Sequence, residues 1–163
     1  NVALHALNAL LLIAVLRRYH AGMHPMLLAP AWDGVEDPIE KIFALLARYR
    51  EALMATDCTY GCPIGSLALE LHEPDPVVRT WLAANFDAWT GAIERCLREA
   101  RGRLPRGTNL RELASFILTT MEGGVMQART HRSPVTYDAA VRQLRHYLSH
   151  LAAAATLTER KSP

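Results

Sequence analysis

The stretch CTYGCPIGSLALEL, residues 58–71, organises the prediction for the whole chain. Gly61 frees the backbone for a tight turn, and the fixed φ angle of Pro63 suits the first turn of a helix. Apolar residues then recur at helical spacing as far as Leu71. We therefore predict a tight turn that leads into a short buried helix of about two turns, which lies between two long helices as the hub of the fold.

A long helix is predicted directly after this segment. Two prolines end the short helix, and Asp75 is placed to cap the next one, with Pro76 at its first position. Apolar side chains then follow one helical stripe from Val78 to Cys96. The pattern predicts a helix over about residues 75–103.

Two helices are predicted before the central segment. The apolar run ALLLIAVL, residues 9–16, has only eight residues, whereas a membrane span needs about 20. We interpret it as the buried start of a helix that reaches about residue 26 and is stopped by Pro25. Another helix is predicted over residues 38–56, because Asp37 precedes a proline and an apolar stripe follows.

The C-terminal part of the chain predicts two more long helices. Asn109, with Glu112 three residues later, resembles a capping box and starts a helix that reaches about residue 130. The last helix carries an apolar seam over residues 137–151, before an alanine-rich run and a polar tail at residues 158–163. No stretch indicates a strand, so we expect an all-α fold of about six helices.

Composition and charge narrow the class of protein. The chain has 163 residues, of which 50% are hydrophobic and 21% are charged, as in an ordinary single globular domain. Its net charge of +2 comes from dispersed arginines, which gives no strong electrostatic footprint for nucleic acid. Three cysteines and no secretory signal pattern indicate a reducing compartment, so a cytoplasmic location is expected.

The two C-terminal helices carry apolar residues on more than one face. Phe116 and Met126 lie off the main stripe, and the Gly123–Gly124 pair lets another backbone approach closely. A symmetric homodimer sealed by a four-helix bundle, with two helices from each copy, would cover the extra face. The expected interface residues are Phe116, Thr120, Gly124, Gln127, Leu144, Tyr147, Leu148 and Leu151.

Four motifs, taken in order, resemble the C-terminal ligand-binding and dimerisation domain of the TetR/AcrR family of bacterial transcriptional regulators. ALLLIAVLRRYH is similar to the family's linking helix, and GCPIGSLALEL to a G-C-x-x-G-x-L-A-x-E pattern. The D-P-x-x-R-x-x-L-x-x-x-F-x-x-W run at residues 75–89 and MEGGVMQAR complete the likeness. The resemblance covers residues 9–157 and implies a ligand-responsive regulator, with a repressor as the expected form.

The resemblance also implies operator DNA as a partner, bound by a helix-turn-helix head of about 45 to 50 residues. Only residues 1–8 precede the linking helix, and we interpret them as a remnant of that head. No base-contacting residue is therefore assigned in this chain. The implied mechanism is that a small molecule bound in the helical core controls DNA binding by the head.

A largely apolar pocket between the helices is a further implication of the resemblance. Large aromatic and methionine side chains with a few polar groups suit an apolar or aromatic effector. The same side chains could equally form a plain core. The predicted ligand-binding residues are Phe43, Cys62, Asn85, Phe86, Trp89, Met121, Glu122 and Val125.

Cys62 is a candidate electrophile or oxidant sensor. It lies at the predicted start of the short helix, where the helix dipole would lower the pKa of its thiol by less than one unit. Some relatives of the resembling branch use a cysteine here in that way. The competing interpretation is that Cys62 is a small buried hydrophobe.

Two histidine pairs leave a rival class open. His20 and His24 are four residues apart, as are His146 and His150, a spacing that can place two imidazoles on one helix face for a metal. A metal- or haem-binding bundle is thus the alternative, and surface histidines are the simpler interpretation. The chain has no phosphate loop, G-x-S-x-G or H-E-x-x-H motif, so no enzyme, metal or cofactor is expected.

Overall fold

The computed structural model describes the backbone of residues 2–71 and 75–159 and the burial of side chains in residues 6–71 and 75–156. Every regular element in those ranges is helical, so the predicted all-α fold is confirmed. The α-helices are α1 (Val2–Gly22), α2 (Ala29–Trp32), α3 (Pro38–Met54), α4 (Pro63–Glu70), α5 (Pro76–Glu99), α6 (Leu110–His131) and α7 (Val135–Glu159).

The predicted helix starts are confirmed by side-chain caps. Asp37 Oδ1 accepts hydrogen bonds from the first two free backbone N–H groups of α3, at 2.8 and 3.1 Å. Asp75 Oδ1 accepts one from Val77 N at 2.8 Å, and Asn109 Oδ1 accepts one from Glu112 N at 3.2 Å. Each cap satisfies donors that the first turn of a helix leaves unpaired.

The predicted stop at Pro25 is wrong. A π-helix, Met23–Leu28, joins α1 to α2, and the Ala29 N–H bonds to the His24 carbonyl five residues earlier. In an α-helix the proline ring would clash with the carbonyl four residues before it. The wider turn of the π-helix accommodates the proline, so the helical run does not end there and continues to Trp32.

The hub of the fold is α5 rather than the short helix α4. Helix α5 packs against α1, α3, α4 and α6, and it buries Leu82, Trp89 and Ile93. Helix α4 buries a single side chain, Ile64, and its Leu69 is 73% exposed. The prediction of a central α4 is wrong, because Leu67 is only partly buried and Ala68 and Leu69 are exposed.

Helix α1 is buried along one face only, whereas the sequence predicted a buried start. Leu16 is completely buried against the core, but Leu10 and Leu11 are 65% and 64% exposed. The apolar run therefore supplies a second, outward face in the single chain. Residues 2–8 continue α1 without an intervening loop, and residues 160–163 of the predicted polar tail lie outside the described residues.

Helix α7 is longer than predicted, and its side chains bond to α3. It continues through the alanine-rich run to Glu159. The buried Tyr137 hydroxyl donates to the Leu46 carbonyl at 2.7 Å. The Arg145 guanidinium pairs with both Glu40 oxygens at 2.6 and 3.0 Å and lies 3.7 Å from the centre of the Phe43 ring. These contacts fix the angle of α7 on the core.

We expect Tyr137→Phe to lower the free energy of unfolding by about 1 kcal/mol, because a buried hydrogen bond is lost while the ring stays. Urea unfolding followed by circular dichroism measures the change. Tyr147→Phe is the matched control, since the Tyr147 side chain is 46% exposed. Equal losses in the two variants would contradict the assigned role of the Tyr137 hydroxyl.

In the part of the chain that the structure describes, no helix combines the length and the apolar character that crossing a bilayer requires.

Candidate functional site

A cavity of about 790 Å³ lies between α4, α5 and α6, and we call it the α4–α6 cavity. Small residues on α4 and the turn before it leave the space open, and Phe86 of α5 closes one side. Polar and apolar residues of α6 form the opposite wall. The lining residues are Gly61, Cys62, Gly65, Ser66, Ala68, Leu69, Phe86, Thr90, Ser115, Leu118, Thr119, Glu122, Gly123, Val125, Met126, Arg129, Thr130 and Arg132.

A second cavity of about 630 Å³ lies between α1, the π-helix and α3, and we call it the α1 cavity. Met23 and Met26 of the π-helix line it, together with Tyr49 of α3. Gly61 and Val125 line both cavities. The two spaces are therefore separated by a thin wall, and a Cβ on Gly61 would lie 3.3 Å from Val125 Cγ1.

Four of the eight predicted ligand-binding residues come together at the α4–α6 cavity. Cys62 and Phe86 lie on the α4 and α5 sides, and Glu122 and Val125 lie on α6. The missed lining residues are mostly small or polar. Ser115 and Thr119 lie at helical spacing from the predicted Glu122 on α6, and this polar stripe is the signal that could have found them.

The other four predicted residues lie elsewhere. Trp89 and Met121 are buried in the core, with Trp89 edge-on to Tyr49 at 5.5 Å between ring centres. Asn85 Nδ2 donates to the carbonyls of Leu16 and Trp81 at 3.1 and 2.8 Å, which joins α5 to α1. Phe43 lies under Arg145 on the α7 side of α3. None of these side chains lines the α4–α6 cavity.

Glu122 is the acidic group of the α4–α6 cavity. Burial raises the pKa of its carboxyl, and a hydrogen bond from the Cys62 thiol lowers that pKa in part. Its Oε1 is buried and has no hydrogen-bond partner in the described part of the chain. Its Oε2 lies so close to Gly65 that a Cβ there would be 2.5 Å away. The carboxyl is thus held against the first turn of α4, where the helix dipole favours negative charge.

The expected lowering of the Cys62 pKa is wrong. Burial and the nearby Glu122 carboxyl raise the pKa of the Cys62 thiol to about 12, although Gly65 N donates to Sγ at 3.5 Å. Desolvation of the thiolate outweighs the helix dipole at this position. Cys62 caps α4 and is only 4% exposed. A thiol that stays protonated is a weak nucleophile.

We expect all three cysteines to resist alkylation in the folded protein. Cys58, Cys62 and Cys96 are buried, and burial also raises the pKa of Cys96 to about 11. Brief iodoacetamide treatment at pH 7, read by mass spectrometry, should label Cys62 about 100-fold more slowly than in urea. The urea-unfolded protein is the control. Labelling of native Cys62 ahead of Cys58 and Cys96 would restore the sensor interpretation.

The histidine pairs do not converge on a metal site. The His20 ring contacts Trp81 edge-on at 5.8 Å, and His146 and His150 are exposed on α7. Among the residues that the structure describes, no group of three or more His, Cys, Asp or Glu side chains could hold a metal ion.

The predicted dimer residues divide between the surface and the core. Phe116 and Tyr147 are 49% and 46% exposed, and their rings meet edge-to-face at 5.6 Å across α6 and α7. Gly124 is buried inside the subunit, where a Cβ would lie 3.0 Å from the Tyr137 ring. Its close approach is therefore to α7 of the same chain. The remaining members are Thr120 and Leu151, which are partly buried, Gln127, which is exposed, and Leu144 and Leu148, which are buried.

Known proteins share both the sequence pattern and the fold. Residues 38–144 match the family described as tetracyclin repressor-like, C-terminal domain. An uncharacterized HTH-type transcriptional regulator of Mycobacterium tuberculosis is 32% identical over 136 residues, which are 79% of this chain and 66% of that protein. The HTH-type transcriptional repressor DhaR of Mycobacterium sp. strain GP1 is 25% identical over 126 residues, 76% of this chain and 62% of that protein.

A solved structure, regulatory protein TetR from Rhodobacter sphaeroides, has the same fold. It matches with a TM-score of 0.74 and 21% identity over 82% of this chain and 71% of that chain. The chain spans about two thirds of the length of the curated relatives that it matches.

Proposed function

The chain belongs to the tetracyclin repressor-like family, whose C-terminal domain it carries, and on this premise we propose that it is the effector-binding and dimerisation part of a transcriptional repressor. The observation that carries the proposal is the α4–α6 cavity, which lies in the middle of the matched region. DNA binding is assigned to the helix-turn-helix head that the family resemblance implies.

The proposed effector is a small apolar or aromatic molecule. The volume of the α4–α6 cavity, about 790 Å³, falls within the range typical of small-molecule sites, about 300–1,000 Å³. Phe86, Leu118 and Met126 supply apolar contact, and a few polar groups remain to fix the orientation of the ligand. This balance suits an apolar body with one or two polar substituents.

The proposed assembly is a two-fold homodimer through α6 and α7. The exposed Phe116 and Tyr147 rings meet edge-to-face and form an outward apolar face across α6 and α7. Two copies that pair these helices as a four-helix bundle would cover the face on both sides of the axis.

The shared wall of the two cavities supports a route from effector to head. A ligand in the α4–α6 cavity contacts Val125 and Gly61, whose other sides face the α1 cavity and the π-helix. We propose that a ligand bound in the α4–α6 cavity moves this wall and changes the direction of α1, which resembles the family's linking helix. The effector must bind the two directions of α1 with different affinity, because a ligand with equal affinity for both does not change their populations.

The test uses the intact gene product and its upstream DNA, with operator affinity measured by fluorescence anisotropy. A bound aromatic effector is expected to weaken operator binding at least tenfold. Thr119→Trp, which fills the cavity from its exposed rim, should keep operator binding and lose the response. Thr80→Trp is the matched control, since Thr80 lines neither cavity. Ligands that bind the cavity and leave operator affinity unchanged would refute the proposal.

A further inference from the structure

We propose that the effector carries a hydrogen-bond donor, best supplied by a protonated amine, which binds the Glu122 carboxyl while the apolar body of the ligand fills the α4–α6 cavity. The inference rests on the proposed function, because it names the chemistry of the molecule that this cavity takes. It follows from the hydrogen-bond and ion-pair partners of the Glu122 carboxyl among the described residues.

The carboxyl of Glu122 is incompletely satisfied. Its Oε1 is buried with no hydrogen-bond partner among the described residues. A buried acceptor without a donor is unfavourable, and such groups in folded proteins are normally paired. A ligand donor in the cavity would supply the missing bond, although the carboxyl must turn slightly to present the oxygen.

Two neighbouring protein donors, Thr90 and Arg129, are bonded to other groups. The Cys62 thiol stays protonated and bonds to the carboxyl, which lowers the pKa of Glu122. Thr90 Oγ1 donates to the Phe86 carbonyl at 2.9 Å, and Arg129 Nη1 donates to Ser66 Oγ at 3.2 Å. These bonds do not involve the Glu122 carboxyl, whose Oε1 remains without a hydrogen-bond partner among the described residues.

The charge of an ionised Glu122 carboxyl favours a cation over a neutral donor at this point of the cavity, away from the two arginines at the rim. Glu122 forms no ion pair with any lysine, arginine or histidine in the described part of the chain. Phe86 and Leu118 line the cavity with apolar surface, and an ion pair is stronger beside apolar surface than in bulk water. A ligand ammonium group would neutralise the charge where no protein group does so.

Two other ligand chemistries compete for the same cavity. A protonated Glu122 would donate to a carbonyl of the ligand, and the arginines at the rim, Arg129 and Arg132, would favour a carboxylate. Probes that share one apolar body and differ only in the end group separate these cases. Suitable probes are 4-phenylbutylamine, 4-phenyl-1-butanol and 4-phenylbutyrate.

The experiment is calorimetric titration of the folded chain with each probe at pH 7. The amine is expected to bind at least tenfold more tightly than the alcohol or the carboxylate. Glu122→Gln should remove this preference and change binding of the alcohol by less than threefold. Glu112→Gln is the matched control, because Glu112 lies on the same helix but lines neither cavity.

A second variant covers the case in which Glu122→Gln fails to fold. Gly65→Ala places a Cβ 2.5 Å from Oε2, so it displaces the carboxyl without removing it, and we expect it to weaken amine binding at least threefold. Equal affinity for the three probes, tighter binding of the carboxylate, or no binding at all would overturn the inference. Amine binding through Glu122 with unchanged operator affinity would instead overturn the proposed function alone.

Discussion

Replacing Gly124 with leucine is expected to lower the free energy of unfolding by about 3 kcal/mol, near the upper end of the usual cost of overpacking. The first atom of the new side chain would lie 3.0 Å from the Tyr137 ring and 3.4 Å from the Tyr137 Cα. The ring cannot move away freely, because its hydroxyl is bonded to the Leu46 carbonyl at 2.7 Å. Helix α7 must therefore shift as a whole.

Urea unfolding of Gly124→Leu beside Gly123→Leu tests this expectation. A Cβ on Gly123 has nothing within 4 Å, so this neighbour gains helix propensity without a clash. We expect the Gly123 variant to be at least as stable as the wild type. If the two variants lose the same stability, the packing of Gly124 against α7 is not the cause.

A double variant, Phe116→Glu with Tyr147→Glu, is expected to raise the dissociation constant of the proposed dimer at least 100-fold, which corresponds to about 2.7 kcal/mol. The substitutions bring four carboxylates to a surface that two copies would bury against each other, where like charges without partners are strongly unfavourable. Both side chains are about half exposed in the single chain, so the fold should tolerate the change.

Sedimentation velocity over a range of concentrations measures the shift. Val77→Glu is the control, because Val77 is 50% exposed at the start of α5 and not on α6 or α7. Circular dichroism should show the same helix content in all variants. A wild-type chain that sediments as a monomer at micromolar concentration would exclude this interface.

Local signals in the sequence predicted most of the helices. Asp37, Asp75 and Asn109 cap the helices that their positions indicated, because a cap depends only on residues within one turn. The path of the chain through Pro25 was not predictable in this way. A proline within a helical pattern ordinarily indicates a stop, and π turns are too rare to be expected from the local residues.

The cavity was half predictable from the sequence. Phe86 and Trp89 lie three residues apart on one face of α5, so periodicity treats them alike. Phe86 lines the cavity and Trp89 is buried, because Tyr49 fills the space beside Trp89 whereas Gly65 and Ser66 fill little beside Phe86. Which part of an apolar stripe is left uncovered depends on side chains from other helices.

The π-helix Met23–Leu28 sets the rotational phase of α1. Successive residues of an α-helix are turned by about 100° around its axis, so a change of one residue in the register of this segment would rotate everything N-terminal to it by about that angle. The exposed Leu7, Leu10 and Leu11 would then face a different direction, and Leu16, which lies on the same helix, would have to leave its buried position. A small shift along the axis of the π-helix would therefore become a large rotation of α1 about its own axis.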